Sequence, residues 1–150
     1  MTLLNQVLRG RLPAPRRVML YGVHGIGKST FGAMAPKPIF IQTEDGLGEI
    51  DCDRFPLATA YEQVIDSLAE LLNENHAYQT VVIDSLDWLE QLIWSDVCRE
   101  RGVVNIEDIP YAKGFTLALT RWRKFLDRLS DLRAGRGMLT VRCAQSYRKI

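Results

Sequence analysis

The chain has 150 residues with ordinary apolar and charged fractions, enough for one soluble globular domain with a buried core. Its formal net charge is +1, so no chain-wide field for polyanions is implied. No apolar run approaches a membrane span. Cys52, Cys98 and Cys143 lie apart without a C-x-x-C, which argues against a zinc or disulfide framework and fits a reducing cytosol.

Met1 to Thr43 hold no Asp or Glu, whereas Arg9, Arg11, Arg16, Arg17, Lys28 and Lys37 are basic, so the chain starts locally positive. Residues 1–16 read as an N-terminal extension, too short for a removable transit peptide because the first strand begins near Arg17. That strand is the apolar run "RVMLYG", and "STFGAMA" beyond it can open a helix. "KPIFIQT" is a second strand, "EDGLGEIDCD" a polar loop, and Asp51 to Leu57 has room for a further short extended piece. From Tyr61 to Leu72, apolar residues recur at helical spacing. "TVVIDS", Thr80 to Ser85, is a β-branched run ending in an acid, and Leu89, Leu92, Ile93 and Val97 mark the helix after it. A longer helix over Phe115–Arg133 carries Leu119, Trp122, Phe125, Leu126, Leu129 and Leu132 on its apolar face and stops at "AGRG". "MLTVRCAQ" is the last strand. Strands alternating with helices, without repeat or linker, predict a single α/β domain over residues 1–150 with a mainly parallel sheet.

Between the first strand and first helix, "GVHGIGKS" has the complete G-x-x-x-x-G-K-[ST] spacing of a phosphate loop. Gly22, Gly25 and Gly27 are expected to take positive φ and turn their N–H groups on an anion, with the Ile26 backbone between them. Lys28 supplies a cation for the β- and γ-phosphates, Ser29 a hydroxyl for Mg²⁺, and Thr30 stands in the first helical turn, where free N–H groups favour phosphate. His24 occupies a free position and reads as a spacer. An ordinary glycine turn is the plainer alternative, but it does not require the lysine and serine in place.

Two acids belong to the same edge. Asp84 ends a buried run, and ligands of parallel sheets collect at the carboxyl ends of strands. It is expected to hold Mg²⁺ with Ser29, the Walker B role, and Ser85 to cap the following helix. Asp87 is a weaker second acid, a turn further on. Glu44, after the second strand, either orients a water against the γ-phosphate or is a solvated loop acid beside Asp45; spacing leaves the two open.

"YGVHGIGKSTFGAMAP", "IFIQTEDGL", "VVIDSLDWLE" and "YAKGFTLALTRWRKFLDRLSDLR" together resemble the phage-encoded RecA-like ATP-binding proteins, including the Sak-type single-strand-annealing ATPases, from about Pro15 to Gln145. The resemblance implies a RecA-like P-loop NTPase fold, ATP with Mg²⁺, and ATP hydrolysis in DNA recombination. It implies Glu44 as catalytic glutamate and Gln145 as γ-phosphate sensor, on a strand lying between the P-loop and Walker B strands. It also implies contacts to single-stranded DNA from Arg99–Gly114 and from "SYRKI". Adenine is preferred only through it, since no N-K-x-D segment is present.

The chain departs from that pattern in two ways. Arg142 stands inside the sensor strand, and the sequence ends at Ile150, so the stretch from about residue 138 reads as an atypical terminal strand of a truncated chain. An incomplete sheet would leave an unpaired edge and favour homo-oligomers. Phe115, Trp122, Trp88 and Trp94 are expected to be packing residues, and Arg121, Arg123, Lys124 and Arg128 a solvated face. Tyr111 and Lys113 suit nucleic acid better. A nucleotide or small-molecule kinase is the second reading, without a visible Arg-bearing lid. A nucleotide-binding module without turnover is the third.

Overall fold

A computed structural model describes residues 2–146. The expected DNA segment "SYRKI" lies, from Tyr147 onward, outside the described residues, as does the terminus on which the expected truncation rests.

Among the described residues, five strands form one sheet: β1 (Arg17–Gly22), β2 (Pro38–Gln42), β3 (Asp53–Arg54), β4 (Thr80–Asp84) and β5 (Leu139–Gln145). All pairings are parallel, in the order β1-β5-β4-β2-β3. The last strand in sequence therefore sits between the P-loop strand and the strand ending in Asp84, as the resemblance implies. Four helices connect them: α1 (Lys28–Ala33), α2 (Tyr61–Asn73), α3 (Leu86–Arg101) and α4 (Lys113–Arg136). Gly137, in the left-handed conformation that glycine adopts without steric cost, caps α4, so "AGRG" ends the helix only at its final residue.

Strand alternation splits the core into two layers. Ile39, Ile41, Val81 and Ile83 face α2, α3 and α4, where Leu68, Leu89, Ile93, Phe125 and Leu132 complete the larger cluster. Phe40, Val82, Val141 and Cys143 face the other way with Leu47. There α1 lies close on the sheet: a Cβ on Gly32 would meet Val82 Cγ1 at 2.9 Å and Phe40 Cζ at 3.2 Å. Burial pushes the Cys143 thiol up to about 12, leaving it an inert packing residue.

Several expectations about α3 and α4 need correction. Phe115, Leu119 and Leu126 are 44%, 47% and 41% exposed, because α4 packs chiefly on α2 and α3, which leave part of its apolar stripe uncovered. Trp88 is also exposed, in the first turn of α3. Trp94 does pack, edge-on to Phe115, as does Trp122 against Phe125. Arg121 is not on a solvated face: its guanidinium bridges Asp96 at 2.7 Å and Glu100 at 3.1 Å, tying α4 to α3. Arg142 does not interrupt β5, which pairs with both β1 and β4 from Thr140 to Cys143. Among the described residues β1 pairs only with β5, so its outer edge is open, with Met19 and Tyr21 exposed.

Candidate functional site

Parallel strands deliver their carboxyl ends to one edge, where β1 ends at Gly22, β4 at Asp84 and β5 at Gln145, with Gly22 and Gln145 in register. A recess of about 350 Å³ opens there, lined by Gly25, Gly27, Lys28, Ser29, Thr30, Glu44, Asp84 and Gln145. A larger hollow at the opposite ends of the strands, beside Pro38 and Tyr78, lacks a phosphate loop.

Residues 22–28 wrap one side of the recess. Gly25 and Gly27 have φ of +80° and +104°, as expected. Gly22 does not: it is the last residue of β1, and its lack of a Cβ serves a close approach instead, since that atom would stand 3.1 Å from Ile26 Cγ2. Ile26 itself points outward and is exposed. Lys28 arches back, its Nζ donating to the carbonyls of Gly22 at 2.8 Å and Val23 at 3.0 Å, so the ammonium is held over the loop. His24 also lines the recess.

The Ser29 hydroxyl, in the first turn of α1, donates to Asp84 Oδ2 at the end of β4. A hydroxyl beside a buried carboxylate is a hard oxygen pair of the kind Mg²⁺ takes alongside water and phosphate oxygens, so these side chains fit that cation. Asp84 is not a helix cap: Ser85 occupies the N-cap of α3, although its side chain makes no capping bond.

Glu44 is half-buried on the wall facing the loop, whereas Asp45 is exposed. Burial pushes the Glu44 carboxyl above its ordinary range and the negative charge of Asp84 adds to this, opposed by a hydrogen bond with Ser85. Thr43, which sequence reasoning missed, fixes this wall. Its N–H donates to the Asp84 carbonyl at 2.9 Å, and its hydroxyl both donates to the Ser85 carbonyl and accepts the Ser85 N–H. Only the signal of a threonine between a strand and an acid could have found it. Asp87, the weaker candidate for a second acid, accepts the Gln145 N–H at 2.8 Å and anchors the end of β5.

A parallel α/β sheet with this loop at its carboxyl edge defines a P-loop nucleotide-binding protein. Within that class, residues 14–146 match the family model of the AAA domain, and the chain belongs to that family. No curated protein matches the chain.

Proposed function

We propose that the protein is a Mg²⁺-dependent ATPase of phage or prophage DNA recombination, of the single-strand-annealing kind, and that Glu44 is its catalytic base. The observation that carries this reading is Glu44 facing the P-loop across one recess, with its carboxyl held high by burial.

In this reading the backbone of Gly22 to Thr30 and the Lys28 ammonium hold the triphosphate. Ser29 and Asp84 hold Mg²⁺, which supplies positive charge against the phosphates. Glu44 orients a water and takes its proton as the water oxygen bonds to the γ-phosphorus. The bond from that phosphorus to the bridging oxygen breaks, and ADP leaves with the electron pair. A carboxylate with a raised pKa is the stronger base for that step. Gln145, at the end of β5 beside the loop, reads the γ-phosphate and couples it to the rest of the chain.

Single-stranded DNA is the proposed partner. Tyr111 supports this reading: it is 94% exposed and held at φ +59° between Pro110 and Ala112, itself at φ +54°. Non-glycine residues are held at such angles only by surrounding structure, and an exposed ring can stack on a base. The open β1 edge supports self-association. Single-turnover hydrolysis of ATP with and without single-stranded DNA tests the proposal. Hydrolysis quickened by DNA is expected; tight ATP binding without turnover in either condition would favour a nucleotide-holding module instead.

A further inference from the structure

Arg142 lies on the helix-facing side of β5, with Met19 of β1 and Ile83 of β4 as register partners. The nucleotide recess makes no use of it. Its Nε is buried and has no hydrogen-bond partner among the described residues. Leaving such a donor unpaired is costly, and a second cation beside it raises the cost. Arg17 is that second cation. Both line a recess of about 230 Å³ between the sheet and α4, completed by Thr140, Ser130, Leu126 and Leu129. The recess thus offers two guanidinium groups and two hydroxyls, with no acid on its walls.

We propose that this recess is a second, separate site that binds a phosphate group. A tetrahedral dianion matches the two guanidinium charges, whereas one carboxylate would neutralise only half of them. Its oxygens can accept from both arginines and both hydroxyls, and arginine's planar fork suits phosphate. Leu126 and Leu129 form an apolar wall that strengthens such contacts by keeping water from one side. Arg17 opens β1 and Gly22 closes it, so the two sites are separated by about 16 Å of strand. The same chemistry suits free phosphate and a phosphate monoester.

The test is a titration of inorganic phosphate into the Lys28→Ala chain, in which the P-loop is weakened, followed by calorimetry and backbone amide shifts. Saturable binding is expected, with shifts at Ser130, Thr140 and Arg142, and with affinity at least tenfold lower when Arg142→Met is added. Methionine keeps the apolar stem, so in phosphate-free buffer Arg142→Met should also raise the thermal midpoint. Arg17→Met, at an exposed position, tests the same site should the first variant fail to fold. Phenyl phosphate in a parallel arm separates the sources: tighter binding than inorganic phosphate assigns a monoester, equal or weaker binding the free anion. Shifts confined to residues 22–30, phosphate affinity unchanged by either arginine substitution, or a lowered midpoint for Arg142→Met would overturn the proposal. Failure of ATP binding would not touch it, because the readout lies at the other end of the strands.

Discussion

The Thr43 hydroxyl donates to the Ser85 carbonyl at 2.7 Å and accepts the Ser85 N–H at 2.9 Å, stitching the chain that carries Glu44 to the chain that carries Asp84. Thr43 is buried, so Thr43→Val keeps the volume and strands the buried Ser85 N–H, while the Ser85 carbonyl keeps the Leu89 N–H at 3.2 Å. A loss of about 1–3 kcal/mol is expected by chemical denaturation. Hydrolysis should fall as well, since Glu44 loses its fixed distance from the loop. Full stability in Thr43→Val would mean that the stitch is replaceable by water.

Lys28→Ala should weaken Mg²⁺-ATP binding at least tenfold, about 1.4 kcal/mol, because the loop loses the ammonium now held over the Gly22 and Val23 carbonyls. Calorimetry reads this directly, and unchanged affinity would remove the phosphate-loop assignment.

Asp84→Asn removes the carboxylate that accepts from Ser29 but keeps its shape. Nucleotide affinity without metal should survive, while the gain in affinity on adding Mg²⁺ shrinks. If a Mg²⁺ titration at fixed ATP gives the wild-type curve, Asp84 has a packing role alone.

Gly114→Ala probes the loop that presents Tyr111. A Cβ there would stand 2.6 Å from Ile106 Cγ1 and 2.8 Å from the Ile106 carbonyl oxygen, so the loop over residues 103–112 must shift off α4. Overpacking of this kind costs about 1–3 kcal/mol, and in the proposed reading it should weaken DNA binding more than ATP binding. Fluorescence anisotropy of a labelled single strand distinguishes the two.

What could be read from sequence follows how local each feature is. The phosphate loop is contiguous, so Lys28 and Ser29 were identifiable without any long-range contact. Asp84 was nearly as plain, because a buried run that ends in an acid needs only the parallel-sheet rule. Thr43 carries only the weak signal of a threonine between a strand and an acid, because its role depends on the register that sets Gln42 beside Asp84. Arg121 looked solvated because its partners, Asp96 and Glu100, lie on another helix. Periodicity sets Leu119 and Leu126 on one stripe of α4, but it does not say how much of that stripe α2 and α3 cover. Gly22 matched the motif for a different reason from Gly25 and Gly27, since a spacing pattern cannot tell a positive φ from a close approach.

Glu44→Gln separates a hydrolysing enzyme from a nucleotide holder. The amide keeps the side chain's shape and reach but cannot take a proton, so ATP binding should persist while single-turnover hydrolysis drops by about a hundredfold or more. Glu49→Gln, an exposed acid of the same loop that does not line the recess, is the matched control and should change little. The raised carboxyl adds a second, activity-free readout. Between the unfolded value near 4.5 and the higher folded value, the native chain binds more protons than the unfolded one, so Glu44 makes stability fall as pH rises through that window. Wild type should therefore lose stability relative to Glu44→Gln as pH is raised from about 4 toward neutrality, with the gap constant once Glu44 is ionised. Denaturation curves for both proteins across that range measure it. A gap that does not change with pH would show a carboxyl titrating normally, and equal hydrolysis by wild type and Glu44→Gln would leave Glu44 a loop acid beside the phosphate site.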